Sequence, residues 1–419
     1  MNLLQLAHRL PWPPVDGGNK GVLGFVEGYS RHPMVTHHAL VCMCRSEDAH
    51  WARDWKPEGV DLVVEPMDAR NSIPRLMANT LFSRRPFNME KYRRASFAGK
   101  VDSAIAAVTP DVVHFDGLHM AGYAPQVGRL APRALRVLRC HNAEYMILER
   151  LAESEPNRAK RTLIALQARR VKSYEAEMLD HFDLILAITE TDAARFKALN
   201  PQCGERIIVV PAGANLPADL APEPPQQGGH VRLIHIAAMD WLPNQGGLRW
   251  LRDDVLPLLN ASGLDYHLDV IGKNMPKEFT AMNGPRVKVH GFVEDLTPLT
   301  SAAHLAVVPL KVGSGMRVKI LDYWSMGIPV VATRVAAEGL YGDDGDLPVV
   351  ALADDPVSFT HTVRRLAADP GERRALRTAA FAKVSSAYGW PGLVDTLVLR
   401  YALMAARAAK AASSGRHAA

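Results

Sequence analysis

Long apolar runs are missing from this 419-residue sequence; none approaches 18 residues, so no membrane-spanning helix is expected. Cysteine is scarce. The four present (Cys42, Cys44, Cys140 and Cys203) are scattered, mostly inside apolar stretches. Cys42 and Cys44 fall on one face of a strand, yet no second pair completes a zinc pattern, so free thiols in a reducing cytoplasm are expected. Strong charge of either sign is also lacking: the net charge is +5 and the pI near 9.0. Such a mild basic balance suits an anionic small ligand or a bilayer surface and is too diffuse for nucleic acid. A G-x-G-x-x-G fingerprint is absent, which counts against a nicotinamide cofactor. Carboxylates cluster in "YGDDGDLP" (Tyr341–Pro348), but in one turn without a distant partner, so a surface loop is read there and no metal is expected. The opening "MNLLQLAHRLPWPP" lacks a basic n-region and reads as a first strand, not a signal peptide.

What is there is an alternation. Short β-branched runs at 2–8, 39–44, 61–65, 111–115, 134–140, 183–188 and 206–210 are separated by helical patterns at about 18–31, 71–83, 89–107 and 119–129, with a long charged helical pair over 143–180. This order predicts βαβ units and a parallel sheet. "ANLPADLAPEPPQQGGHVR" breaks the pattern with proline and glycine and reads as a linker. A second series follows, with strands near 232–237, 266–271, 286–290, 304–309, 329–332 and 347–351. The expected organisation is α/β throughout: a domain over 1–215, a linker over 216–230, a second domain over 231–388, and a final helix over 389–419 that packs back toward the first domain and ends in a disordered tail. Ligands of such sheets sit beyond the carboxyl ends of the strands, so one cleft between two Rossmann-like domains is expected.

The segment richest in chemistry is "VVPLKVGSGMRVKILDYWSMGIPVVAT". A buried strand runs into the turn Gly313-Ser314-Gly315, and a helix is predicted to begin near Gly315. Free N–H groups at a helix start attract anions, and glycine lets a phosphate approach closely. Arg317 and Lys319 fall in the first turn, where cations oppose the helix dipole unless an anion offsets them. Asp322 is spaced to accept hydrogen bonds from a ribose diol. The plainer alternative is a capped helix with a solvated cationic face. A second strand-to-helix turn is "AAMDWLPNQGG", in which Asp240, Trp241 and Asn244 are placed for ligand contact, or Trp241 for the core.

The segments "DWLPNQGGLRWLRDDVLPLL", "VKVHGFVEDL", "VVPLKVGSGMRVKILDYWSMGIPVVAT" and "AAEGL" together resemble retaining nucleotide-sugar glycosyltransferases of the group-one branch, family-four type. They are similar to the sugar transferases of bacterial exopolysaccharide and lipopolysaccharide assembly. The resemblance implies the GT-B fold, two Rossmann-like doubly wound domains facing across a cleft. It implies a nucleoside diphosphate sugar as donor, a glycan or lipid-linked acceptor, no cofactor and no metal. Members carry two glutamates spaced E-x7-E. Asp322 falls on the second, ribose-binding position; Ser314 falls on the first, so that carboxylate is missing. Arg317 and Lys319 then stand in for the diphosphate-holding cations usual in the earlier loop. Met316 and Glu338 (of "AAEGL") join the implied donor-binding set with Gly313, Ser314, Gly315, Asp240 and Asn244.

In the first half, Pro11, Pro13 and Pro14 stiffen a loop in which Asp16, Gly17 and Gly18 are read as a turn. The resemblance places that glycine loop near the diphosphate and the acceptor. "VVHFDGLHMAGY" offers Asp116 and His119, and "LRCHNAEY" offers His141, Asn142 and Glu144, all at strand carboxyl ends. A lone loop histidine is ordinarily a surface residue. The resemblance implies His119 and His141 near the donor sugar, with Glu144 holding His141 or, more blandly, opening a helix. "SRRPFNMEKYRR" mixes arginines and a lysine with two aromatics. It reads as a solvated helix edge, with contact to an anionic membrane at the inner face of the cytoplasmic membrane as the sharper alternative. Two rival functions share this pattern: a nucleotide-sugar epimerase of the same fold, and a catalytically silent nucleotide-sugar-binding protein.

Overall fold

The computed structural model describes residues 1–14, 17–68, 72–225, 230–313, 316–340 and 350–415. Two compact units emerge: Met1–Pro211 together with Trp390–Ala419, and Ala212–Gly389.

The first unit holds a seven-stranded parallel sheet in the order β3-β2-β1-β4-β5-β6-β7. Its strands are β1 (Asn2–Ala7), β2 (His37–Arg45), β3 (Asp61–Met67), β4 (Val112–Asp116), β5 (Leu135–Arg139), β6 (Leu184–Ala187) and β7 (Ile207–Val209). The helices are α1 (Gly17–Arg31), α2 (Ala49–Asp54), α3 (Ile73–Phe82), α4 (Phe87–Glu90), α5 (Ala95–Val108), α6 (Ala124–Leu130), α7 (Glu144–Ser154), α8 (Arg158–Met178) and α9 (Glu190–Leu199). Every one of the seven expected strands forms. Alternate residues of β1 serve opposite faces, as a period of two requires: Leu4 and Leu6 pack with α5, Leu3 with Phe25 of α1. Helices cover both faces, which is why the strands read as nearly unbroken apolar runs.

Two expectations need correction here. The helix read over 89–107 is broken, because α4 ends at Glu90 and α5 begins at Ala95, with exposed Arg93 and Arg94 between them. The cause is tertiary: Tyr123 accepts the Arg94 N–H at 2.9 Å and donates to the Tyr92 carbonyl at 2.6 Å, so this backbone bonds to a neighbour instead of to itself. Gly17 and Gly18, read as a turn, form the first residues of α1. Asp16 lies outside the described residues.

The second unit holds six parallel strands in the order β10-β9-β8-β11-β12-β13. They are β8 (Val231–Ile236), β9 (Tyr266–Ile271), β10 (Val287–Gly291), β11 (Leu305–Val308), β12 (Val330–Ala332) and β13 (Val350–Leu352). The helices are α10 (Leu242–Trp250), α11 (Leu256–Ala261), α12 (Lys277–Thr280), α13 (Thr297–Thr300), α14 (Val318–Ser325), α15 (Arg334–Ala337), α16 (Pro356–Ala368) and α17 (Pro370–Ala387). In both sheets the strand order reverses beside the first strand, at β1/β4 and at β8/β11. Loops diverge there and leave a crevice at the carboxyl ends. The proline-rich segment before β8 is held against α17: buried Arg373 donates to Glu223 at 3.0 Å, and Arg377 donates to the Ala221 carbonyl.

The last helix, α18 (Trp390–Gly415), belongs to the first unit. Trp390, Val394, Leu397, Val398 and Tyr401 give it one apolar stripe, which packs on Phe25 and Tyr29 of α1. Small residues on α1 make this possible. A Cβ on Gly24 would run into the Trp390 ring, one on Gly28 would lie 2.5 Å from Val394, and one on Gly21 would lie 2.9 Å from Arg139. Gly24→Leu is therefore expected to push α18 away and destabilise the first unit by about 1–3 kcal/mol, the usual cost of overpacking. A lower urea midpoint for that unit checks this; an unchanged midpoint would show that the helix contact contributes nothing.

Candidate functional site

Each unit carries polar groups at its strand reversal, and the two sets differ in kind. In the first unit a row of buried polar side chains crosses the central strands. Asp116, at the end of β4, is fully buried. Gln5 donates to its Oδ2, and Gln5 Oε1 lies 3.2 Å from His38 Nε2. The Asp116 Oδ1 stands 3.6 Å from Arg139 Nη1, 3.6 Å from His114 Nε2 and 3.5 Å from His141 Nε2. Burial alone would raise this carboxyl, but His114, His141 and Arg139 outweigh it and hold Asp116 well below the usual range. It is an ionised carboxylate that anchors its neighbours. Tyr29 adds a hydroxyl 2.9 Å from His114 Nδ1, and Tyr401 of α18 another at 3.1 Å.

The sequence reading left Glu144 either to hold His141 or, more blandly, to open a helix, and it is a helix that Glu144 opens. Asp116 stands beside His141, because β4 and β5 are adjacent and in register at Asp116 and Arg139. Glu144 is the first residue of α7, and burial pushes its carboxyl up to about 7. His119 sits in the turn after β4, where Gly117 takes a positive φ of 89°. The ring of His119 stacks on His8 at 4.4 Å and meets Tyr92 edge-on at 5.0 Å, while His8 lies 6.1 Å from His141. Burial, then the mutual repulsion of the rings and of Arg9, lowers His8 far below its ordinary value. Burial followed by His141 takes His119 to about 3, and burial lowers His141 against the pull of Asp116. Three neutral imidazoles thus gather at the carboxyl ends of β1, β4 and β5. Sequence reasoning missed His8 and Tyr92, though His8 directly follows the first apolar strand.

In the second unit the loop after β8 and the loop after β11 meet. Helix α14 starts at Val318, later than expected, because Arg317 takes an extended conformation (φ −90°, ψ 91°) just ahead of it. Arg317 is therefore not in the first helical turn; Lys319 is. The Arg317 guanidinium is buried, 5.4 Å over the Trp241 ring, and it occupies the space a side chain at Gly313 would need. Gly313 itself has φ 150°. Trp241 thus supports Arg317, a role between the two considered for it. Asn244 is buried and its amide is committed: Nδ2 donates to the Ala238 carbonyl at 2.7 Å, and Oδ1 accepts from Lys319 Nζ at 3.1 Å. Lys319 keeps some accessible surface, yet its ammonium is desolvated. Burial first, then the charge of Arg317, lowers it from 10.5 to about 7, with Asp322 opposing.

Asp322 lies one turn further along α14, half-buried, and Met316 is buried ahead of Arg317. Asp240 is exposed, with Lys273 Nζ 3.7 Å from its carboxylate. Glu338 follows α15 beyond the end of β12, where Thr333 caps the helix by accepting from the Ala336 N–H at 3.1 Å. Gly247 of α10 lies against β11: a Cβ there would stand 2.8 Å from the Pro309 carbonyl oxygen, so glycine lets helix and strand approach. Ser314, Gly315 and the acidic turn at 341–348 lie outside the described residues. Among the described residues no helix is long and apolar enough to cross a membrane.

Known proteins resemble the chain in two ways. Residues 49–217 match the profile of Glycosyltransferase Family 4, and residues 230–369 that of Glycosyl transferases group 1. No curated protein matches the sequence. Among solved structures, the sucrose-phosphate synthase of Thermosynechococcus elongatus superposes with a TM-score of 0.71 at 16% identity, over 97% of this chain and 100% of that one. HepE of Anabaena, solved with UDP, gives 0.63 at 14%, over 96% and 100%. The lipopolysaccharide outer core galactosyltransferase WaaB gives 0.57 at 12%, over 96% and 99%. At such identities the structural likeness is one of fold. With a family-four domain followed by a group-one domain, on two parallel Rossmann-like sheets, this chain is a glycosyltransferase of the GT-B fold.

Proposed function

We propose that the chain is a retaining, metal-independent glycosyltransferase of cell-surface polysaccharide synthesis. It moves a sugar from a nucleoside diphosphate sugar to a glycan or lipid-linked acceptor at the cytoplasmic side. The observation that carries the donor half is the pair of cationic side chains gathered at the β8/β11 reversal. Arg317 is buried beside Trp241, and its charge, added to burial, brings Lys319 down to about 7. Two cationic side chains held close beside a helix start suit an anionic ligand. A diphosphate, with the N–H groups at the start of α14, fits there. HepE, a protein of like fold, was solved with UDP and with UDP-glucose, which supports a nucleotide of this class.

In the reaction the bond between the anomeric carbon and the diphosphate oxygen breaks, and charge builds on that oxygen. Arg317, held over Trp241, and Lys319, held by Asn244, are assigned to stabilise that charge as preorganised donors. The acceptor hydroxyl attacks from the same face, so the configuration is retained. Its proton passes to the departing phosphate oxygen. Asn244 acts as a positioning residue, since it holds the Lys319 ammonium through a hydrogen bond. Asp322 is assigned to the ribose hydroxyls, with Asp240, Gly313, Ser314, Gly315, Met316 and Glu338 around the donor. Gly17 and Gly18 are assigned to the diphosphate or the acceptor. His119 and His141 serve as neutral hydrogen-bonding groups for sugar hydroxyls.

Arg317→Ala or Lys319→Ala is expected to reduce sugar transfer by about two to three orders of magnitude, the scale for losing one preorganised transition-state donor. Near-normal turnover in either variant refutes the assignment. Asp322→Asn is expected to weaken nucleoside diphosphate binding while leaving the turnover of bound donor close to normal, as calorimetry and saturation kinetics will show. A thermal-shift series with UDP, GDP, ADP and their sugars identifies the base.

Lys319 also sets a pH signature. Its value is near 7 in the folded chain and 10.5 when unfolded, so between those values the unfolded state holds the extra proton. Its contribution to stability is therefore smallest below about pH 7 and grows as the pH rises toward 10.5. A bound diphosphate reverses the shift. Nucleotide binding near pH 8 should then take up a proton, seen as a heat that differs between buffers of unlike ionisation enthalpy. Lys319→Gln should abolish the difference; the same heats in both buffers for the unaltered protein would rule the mechanism out.

A further inference from the structure

Three of the first unit's four tryptophans gather at one place, and the transfer reading uses none of them. Trp51 lies in α2, and the Trp55 N–H closes the last turn of that helix on the Trp51 carbonyl at 2.9 Å. Residues four apart share a helix face, so the two indoles project the same way. Both rest on the apolar cluster that includes Ala7, Leu10, Val22 and Cys42. Trp12, in the loop after β1, lies against Trp55 with ring planes 2° from parallel and centroids 6.3 Å apart. Among the described residues Trp12 takes no part in the apolar cluster beneath. Pro11, Pro13 and Pro14 fix φ on either side of it, so its backbone has little freedom to fold the ring inward. His50, exposed in α2, sets its ring 4.7 Å from that of Trp51. All three indoles are half-buried, and together they make an aromatic shelf on α2.

The electron-rich face of an indole attracts weakly positive C–H groups. A pyranose ring presents such C–H groups on its faces and hydroxyls around its rim. The shelf has a partner for the hydroxyls too. Asp48, half-buried, lies one turn ahead of Trp51 on the same face. It stands at the N-cap of α2, yet its side chain makes no capping hydrogen bond to that helix. Its carboxylate is therefore left to accept from a ligand, and a bond to a charged acceptor is among the stronger ones. Two other occupants suit the shelf less. Over 45–59 four carboxylates stand against two arginines and one lysine, and Arg45 is turned to Glu47 at 3.4 Å. Anionic bilayers attract segments with a basic excess, which this stretch lacks. An indole offers about 250 Å² at most, and these are half-buried. The aromatic patch thus falls short of the roughly 800 Å² per partner of a stable protein interface.

We propose that Trp12, Trp51, Trp55 and Asp48 form a binding site for a neutral saccharide chain, with pyranose faces laid on the indoles and rim hydroxyls donating to Asp48. The site goes beyond the transferase reading, since no residue assigned to the donor or to the transferred sugar belongs to it. It gives the first unit a hold on a glycan that does not depend on the reaction. Stacking removes the apolar face of the sugar and the exposed indole surface from water together, which favours the complex even where each single contact is weak.

The test is titration of the full chain with cellotetraose, maltotetraose and mannotetraose, followed by tryptophan fluorescence and calorimetry. At least one of the three is expected to bind saturably and to change the fluorescence. Trp12→Ala should weaken that binding by about tenfold, the scale of one stacked aromatic contact, and Trp12→Phe should recover most of it. Because Trp12 stands outside the apolar cluster, both variants should melt with the unaltered protein. Asp48→Asn, which keeps the shape and loses the charge, should weaken binding several-fold at the same melting temperature. No saturable binding of any of the three saccharides overturns the proposal, as does equal affinity in the unaltered protein and Trp12→Ala. Binding of UDP, GDP or ADP should be the same in both proteins; a matched loss in Trp12→Ala would move Trp12 to the donor site and overturn the proposal while leaving the donor reading intact. A dimer in sedimentation, or retention on phosphatidylglycerol vesicles, that Trp12→Ala abolishes while saccharide binding stays unchanged would assign the shelf to a second copy or to a bilayer and overturn it as well.

Discussion

One buried carboxylate organises the carboxyl ends of the first sheet. Asp116 has no access to solvent, and an ionised group in that position costs several kcal/mol unless it is well partnered. Its partners come from neighbouring strands: Gln5 from β1, His114 from β4 itself, Arg139 from β5 and His141 just beyond β5. Each is thereby fixed in direction. Arg139 also lies 4.6 Å from the Phe25 ring and fills the space beside Gly21, so the same charge helps seat α1. Through Tyr29 and His114 the network extends to Tyr401, which ties the last helix to the sheet centre.

The second unit follows the opposite electrostatic logic. Around Asp116 opposite charges meet, and His114, His141 and Arg139 keep the carboxylate ionised. Around Lys319 like charges gather: Arg317 adds to burial in lowering it, and Asp322 opposes them. Functional sites are where such perturbed groups gather. Backbone geometry is arranged to the same end. Gly313 adopts φ 150° and makes room for the guanidinium, and the late start of α14 leaves Arg317 in the loop.

Much of this was legible in the sequence. Short β-branched runs separated by helical patterns gave thirteen strands, because a strand covered on both faces needs little more than apolar composition and local turns. The loops bearing Arg317, Lys319 and Asn244 could be located for the same reason: a strand-to-helix turn is a local event. Contacts across strands could not be read. Glu144 stands three residues from His141 in sequence, yet Asp116, a strand away, holds it. The break between α4 and α5 depends on the Tyr123 hydroxyl, some thirty residues on. Polar residues inside apolar strands, such as Gln5 in "NLLQLA" and His114 in "VVHFD", were the available sign of a buried network, but not of its partners.

By itself, then, the sequence determined the class of fold, the order of its elements and which loops carry cations and glycines, since these follow from local periodicity and backbone freedom. The tertiary structure alone decided which charged groups are brought together and which are desolvated. That depends on desolvation and on register between strands distant in the chain, neither of which a local pattern encodes. The same amino-acid types thus became a network of opposite charges at Asp116 and a desolvated cationic pair at Arg317 and Lys319.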